Sequence, residues 1–314
     1  MQKYVVGIDV GGTTIKLAIF PVGEKDICTW EIVTPVNERF PEFWTSIGET
    51  VHAKFAELGI PYEQLAAAGI GLPGPIREDG FIPRCVNLGM GPCYPGKELE
   101  AVLGVPSAAN NDANVAALGE VFYGAAKGYK NAALFTLGTG VGGGIIVDGK
   151  IISGNRGVGG EVGHFVVNPD EELQCNCGNY GCLEQYASAT GMVRSAKRIL
   201  EASDKPSSLR NFEDLTAKDV CDEAKKGDEL ALEALEIYGK YMGIALAHIQ
   251  LTIDPDIFII GGGVSRAGQI LIDVLQKYLI KYTHIAEEKA GIVLASLGND
   301  AGTYGAAALA QGLL

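Results

Sequence analysis

Three cysteines and a histidine, His164, Cys175, Cys177 and Cys182, fall within nineteen positions of one another. Thiolate sulfur and imidazole nitrogen are the donors that hold zinc, and four of them close its coordination shell. A lone histidine is usually a packed core residue and a lone cysteine an inert one. A cluster of this density, carrying Gly178 and Gly181 to relax the backbone between the sulfurs, points instead to a structural Cys₃His zinc site. The spacing, Cys-x-Cys and then four residues before the third cysteine, differs from the two-residue spacing of a common finger. No position is left for water, so the ion would build a loop and do no chemistry. Glu161 and Glu184 flank the cluster, where a bound metal would fix their geometry.

Two glycine-rich segments have the chemistry of phosphate binding. In Gly7-Ile8-Asp9-Val10-Gly11-Gly12-Thr13-Thr14 a strand delivers Asp9 to a turn. Gly11 and Gly12 bare their amides there, Thr13 and Thr14 add hydroxyls, and Asp9 would meet a Mg²⁺-bound triphosphate through waters. An ordinary Gly-Gly hairpin explains this segment about equally well when it is taken alone. Leu137-Gly138-Thr139-Gly140-Val141-Gly142-Gly143-Gly144 is harder to dismiss, because five glycines in an apolar strand pair weaken it by roughly 0.5–1 kcal/mol each. Gly138, Thr139, Gly140 and Gly142 are the expected phosphate contacts. No Gly-Lys-Ser/Thr follows, which excludes a Walker loop, and a strand follows where a Rossmann fingerprint has a helix. Gly262 and Gly263, after a third strand, suit an adenosine. The cofactors implied are ATP, Mg²⁺ and structural Zn²⁺.

These segments need elements to position them. Strands are expected at 4–9, 15–20, 67–72, 106–110, 132–137, 145–147 and 256–260, with a further one reaching Val33. Helices are expected over about 42–58, 112–123, 187–202, 217–226, 228–252, 268–282 and 301–313, the first with Phe43, Ile47, Val51 and Phe55 on one face. Asp79-Gly80 is a hairpin signal. The alternation gives an α/β class. Strand, glycine turn and strand recur near residues 11 and 140, a weak internal repeat that suggests a duplicated lobe. Residues 1–114 with 301–314 are expected to form a smaller lobe, and 115–300 a larger one. Asn110-Asn111-Asp112-Ala113-Asn114 opens a helix, so Asp112 fits a helix cap. Pro73-Gly74-Pro75 fits a rigid turn and the wall of a pocket equally.

The chain has 314 residues, 25 Lys plus Arg and 38 Asp plus Glu, for a formal net charge of −13. That balance argues against nucleic acid and anionic membranes as partners. The stretch before Asp9 is too short and polar for an export core, no run reaches ~20 apolar residues, and the odd count of seven cysteines disfavours a disulfide framework. A cytoplasmic protein is expected.

The phosphate turns and adenosine glycines, in this order, resemble the actin, heat-shock ATPase and sugar kinase superfamily. The pattern Glu161-x-x-His164, ten residues, Cys175-x-Cys177-Gly178-x-x-Gly181-Cys182-x-Glu184 resembles the signature of the ROK (repressor, open reading frame, kinase) family. The resemblance runs from Asp9 to the last helix and is greatest to the bacterial glucokinases of that family; the Cys177-Gly178 form speaks against its fructokinases. It implies an actin-like (ribonuclease H-like) fold with sugar and ATP in a cleft, and a homodimer. It also implies phosphorylation of glucose or a related hexose at the 6-hydroxyl. Asp112 becomes the catalytic base, Asn111 a sugar contact, and Glu161, His164 and Glu184 acceptors of sugar hydroxyls. A carboxylate at a helix N-terminus should favour its charged form, which makes Asp112 a weak base but a dependable acceptor. A kinase for another hexose or for an N-acetylhexosamine is the live alternative. A family repressor is disfavoured because the first strand starts at Tyr4 with no helix-turn-helix ahead of it, and a filament or chaperone ATPase leaves the zinc cluster unexplained.

Overall fold

Tyr4–Val10 (β1) and Thr14–Pro21 (β2) form an antiparallel pair across the Gly11-Gly12 turn in the computed structural model, which describes residues 2–35, 40–85 and 88–314. Cys28–Val33 (β3) continues the antiparallel run at the sheet edge. Its residues alternate between half-buried and exposed, as an edge strand with one solvated face requires. Leu65–Leu72 (β4) and Ser107–Asn111 (β5) then add parallel strands, giving the order β3-β2-β1-β4-β5.

Parallel neighbours need crossovers, and helices supply them. Phe40–Glu57 (α1) links β3 to β4 and buries Phe43, Trp44, Ile47, Val51 and Phe55. Pro95–Leu103 (α2) links β4 to β5, with Pro95 in its first turn and Gly104 closing it at φ 71°. The expectations lacked α2, because its apolar face is only Pro95, Leu99 and Leu103. Asp79-Gly80 forms a turn in which the Gly80 amide donates to Arg77 O (2.8 Å); no strand ladder flanks it among the described residues.

Asp112–Phe122 (α3) and Ala301–Gln311 (α9) belong with this sheet. Val5, Ala18, Phe20 and Ala67 meet Ala307 and Ala310 of α9. The contact is backbone on backbone: a Cβ on Gly69 would stand 1.9 Å from Ala306 O, and one on Gly305 would stand 1.7 Å from Val115 O. Much of the glycine content of this part therefore serves close packing between elements.

The second sheet has the order β10-β9-β6-β7-β8, from Ala132–Leu137 (β6), Val141–Val147 (β7), Lys150–Ile151 (β8), Ile257–Gly261 (β9) and Gly291–Leu294 (β10). Strand β10, four residues and at most half-buried, carried no sequence signal. Helices Glu184–Ala187 (α4), Ala189–Ala202 (α5), Ala217–Lys225 (α6), Glu229–Ile253 (α7) and Gln269–Tyr282 (α8) follow. The expected helix over 187–202 is divided at Ser188, whose extended backbone ends α4 and whose hydroxyl caps α5 through the Gly191 amide (2.9 Å).

The chain divides into two units: Met1–Gly128, Gly144–Gly160 and Asn299–Leu314 in the first, Tyr129–Gly143 and Glu161–Gly298 in the second. The expected division at residue 114 falls inside α3, a helix held whole in the first unit by its packing on α9. The expected turn over 138–144 is also shorter, because Gly142 to Gly144 already lie in β7.

Candidate functional site

The β1–β2 turn is braced from inside the first unit. The Gly11 amide donates to Thr14 O (2.9 Å), the Thr34 hydroxyl to Gly11 O (2.8 Å), and the Thr34 amide to Thr13 O (2.9 Å). Thr34 was absent from the expected set because no local spacing ties it to the turn. Asp9, at the end of β1, presses its carboxylate on the start of α9, where a Cβ on Gly302 would stand 2.4 Å from Asp9 Cγ. Burial pushes the Asp9 carboxyl up to about 6, and the charge of Asp112 adds to this. Lys16, opposite Asp9 in the β1–β2 register, pulls the other way. Its ammonium donates to Asp300 Oδ1 (3.1 Å) and Asn299 O (3.2 Å).

The β5–α3 corner carries the expected base. Asn111, in extended conformation, is the N-cap of α3: its Oδ1 accepts from the Ala113 (3.0 Å) and Asn114 (3.2 Å) amides, and its Nδ2 donates to Gly74 O (3.2 Å). Gly74, at φ 108°, thus anchors the corner with its backbone carbonyl. The cap reading of Asp112 moves to its neighbour; Asp112 is the first residue of the helix and accepts the Ala113 amide at 2.8 Å. The carboxyl is raised above its ordinary value, since displacement of solvent outweighs the hydrogen bond from Ala113. The expectation that the helix terminus keeps Asp112 a weak base is therefore corrected: desolvation is the larger effect and makes it a stronger one. Asn110, Asn114 and Ser153 complete a polar network that sequence reading missed, with Asn110 Nδ2 donating to Ser153 Oγ (2.9 Å). Asn114 is buried and its Oδ1 has no hydrogen-bond partner.

In the second unit, Gly138, Thr139 and Gly263 line one cavity of about 510 Å³. The rest of its lining includes Ala189 at the start of α5, one face along the length of α6 with Lys218, Cys221, Asp222 and Lys225, and the segment holding Val264 and Arg266. Thr216 and Asp219 form a capping box that fixes the start of α6. None of the α6 residues was in the expected set, because an amphipathic helix carries no ligand motif. A Cβ on Gly140 would lie 2.2 Å from Glu184 Oε2, and one on Gly262 would lie 2.5 Å from Leu137 O. Gly142 sits in β7. These three do not line the cavity.

The metal cluster forms as expected. Ligand atoms of His164, Cys175, Cys177 and Cys182 all lie within 4.8 Å of one another. The Cys177 and Cys182 sulfurs are 3.6 Å apart, close to the roughly 3.8 Å that two sulfurs ~2.3 Å from a tetrahedral zinc would show. Three soft thiols and one imidazole fit zinc in both donor chemistry and spacing. The loop closes by local hydrogen bonds, with the Cys175 amide to Asn179 O (2.8 Å) and the Gly178 amide to Cys175 O (2.9 Å). Gly181, at φ 71°, brings its Cα so near Asn168 O that a Cβ would stand 1.8 Å from it. Glu184 accepts the Val141 amide on Oε2 (3.0 Å), and its Oε1 is 4.0 Å from Cys175 Sγ. Glu161 Oε2 is 4.0 Å from His164 Nε2. The cluster thus holds Glu161 and Glu184 at its border, with both His164 and Glu161 solvent-accessible.

Comparison with known proteins agrees with this chemistry. The ROK family model matches residues 5–312. A glucokinase from Halalkalibacterium halodurans is 38% identical over 310 residues, covering 97% of this chain and 94% of that protein. The N-acetylgalactosamine kinase AgaK of a Shewanella species is 30% identical, covering 98% and 96%. Among solved structures, a ROK family glucokinase from Streptomyces griseus in complex with glucose and AMPPNP aligns with TM-score 0.73 at 32% identity, over 98% of this chain and 99% of the other. The fold is the actin-like ATPase fold of these sugar kinases. No helix among the described residues is long and apolar enough to cross a membrane.

Proposed function

The chain belongs to the ROK family, and we propose that this sugar kinase is a glucokinase, transferring the γ-phosphoryl group of ATP to the 6-hydroxyl of glucose. The observation that carries the reading is Asp112, a desolvated carboxylate freed of the capping duty by Asn111. A general base works best when its pKa is drawn toward the working pH, and desolvation draws Asp112 that way. It accepts the proton of the attacking hydroxyl late, since phosphoryl transfer passes through a loose transition state that needs alignment first. By the family resemblance, Asn111, Glu161, His164 and Glu184 are the groups that would hydrogen-bond the remaining hydroxyls.

ATP takes the cavity of Gly138, Thr139 and Gly263, with its nucleoside toward α6 and Arg266. Of the β1–β2 turn, the Gly12 amide and the hydroxyls of Thr13 and Thr14 would serve a phosphate; the Gly11 amide, expected to do so, is instead held by Thr14 O. Magnesium, when bound, neutralises charge on the transferring phosphoryl group. Asp9 is the residue that would accept hydrogen bonds from the ion's waters. Zinc, held by the four-ligand cluster, supplies the loop's shape. A homodimer in the cytoplasm is the state that the family resemblance supports, tested by light scattering on the purified protein.

The second reading is an N-acetylhexosamine kinase, favoured by the 30% identity to AgaK over nearly the whole chain. A coupled ADP-release assay over glucose, mannose, fructose and the N-acetylated hexosamines decides between them. Glucose should give the highest kcat/KM, with each misplaced hydroxyl costing roughly 1–3 kcal/mol, about five- to 150-fold. A higher kcat/KM for an N-acetylhexosamine overturns the glucose assignment and leaves the kinase standing.

A further inference from the structure

We propose that the Cys177–Cys182 pair is a peroxide-sensitive release for the loop metal, an inference that rests on the zinc reading of the cluster. The two thiols differ in access: Cys177 is exposed and Cys182 is buried. Their sulfurs lie 3.6 Å apart, so closure to the ~2.05 Å of a disulfide needs only about 1.5 Å of approach. The chain between them can give. Gly178, at φ 90°, has no atom within 4 Å of its Cβ position, so the turn around it is unobstructed. The remaining cysteines are less accessible than Cys177, with Cys85, Cys93, Cys175 and Cys221 buried and Cys28 half-buried.

Hydrogen peroxide is the oxidant. The Cys177 thiolate attacks one peroxide oxygen, the O–O bond breaks, and water leaves with one proton from solvent, giving a sulfenic acid on Cys177. The Cys182 thiolate then attacks that sulfur, the S–O bond breaks, and a second water leaves with a second solvent proton. Two thiolates, one peroxide and two protons become one disulfide and two waters. His164 and Cys175 alone cannot satisfy a four-coordinate ion, so zinc passes to solvent. The sugar-side carboxylate follows, because Glu184 stands two residues beyond Cys182 and 4.0 Å from Cys175 Sγ. Peroxide thereby switches off sugar phosphorylation.

The experiment titrates zinc-loaded full chain with hydrogen peroxide, reading released metal with a chromogenic chelator and disulfides by peptide mass mapping. About one zinc per chain should appear in step with a Cys177–Cys182 disulfide, and dithiothreitol plus zinc should restore the bound metal. Cys28→Ser should release zinc with the same peroxide dependence. Zinc retained while both cysteines stay reduced overturns the proposal, as does zinc release with oxidation confined to other thiols. Neither readout uses the sugar, so failure of the glucose assignment leaves this test intact.

Discussion

Replacing Asp9 with Asn should make the protein more stable and nearly inactive, and the stability gain should depend on pH in a way only a buried carboxylate produces. Burial, aided by the charge of Asp112, lifts the Asp9 carboxyl from 3.8 to about 6. A carboxyl whose folded pKa is raised favours the fold when protonated, and that contribution is lost as pH rises from the unfolded value through the folded one. The span of about 2.2 units, at about 1.36 kcal/mol per unit, makes ionised Asp9 cost up to about 3 kcal/mol above pH 7. At pH 5 the same linkage gives about 1.5 kcal/mol. Asn keeps the shape and carries no charge, so D9N should melt above wild type by roughly 2–4 °C per kcal/mol. Differential scanning at pH 7.5 and pH 5 reads both values: a gap of several degrees at pH 7.5 should fall to about half at pH 5. A gap equal at the two pH values, or D9N melting below wild type at pH 7.5, refutes the reasoning. The same variant should show no thermal shift with MgATP at concentrations that stabilise wild type. In wild type, MgATP binding should weaken as pH drops below about 6.

Asp112→Asn should retain the fold, because Asn111 caps α3, and lose roughly 10²–10⁴-fold in kcat; turnover within tenfold of wild type would place the base elsewhere. Since the Asp112 carboxyl is raised, kcat should fall on the acid side of neutrality, read in a pH-rate profile that D112N flattens. Gly181→Ala sets a Cβ 1.8 Å from Asn168 O at φ 71°, so zinc per chain by elemental analysis should drop well below one while the cavity at α6 still binds nucleotide. Removing zinc with a chelator should abolish sugar phosphorylation, and active protein with much less than one zinc per chain would refute the structural role of the cluster.

The Cys/His cluster was legible in the sequence because its members sit close in the chain, and a candidate metal site of that kind is a matter of local spacing. The same holds for the Gly11-Gly12 turn and for the long helices, whose apolar faces repeat at helical period. Helix α2 and strand β10 were too short or too weakly patterned to announce themselves. Gly140 and Gly262 were expected to admit a ligand, whereas protein atoms approach them in the structure: Glu184 meets Gly140 and Leu137 O meets Gly262, and Ala306 O meets Gly69, which no motif marked. Those partners lie some 40, 125 and 240 residues away, and no spacing rule reaches that far. The ionisation of Asp112 went the same way. Sequence supplies the helix terminus beside it, a local dipole, whereas the solvent it loses depends on every element folded around it. Tertiary structure therefore sets the direction in which its carboxyl shifts, because desolvation is the larger effect.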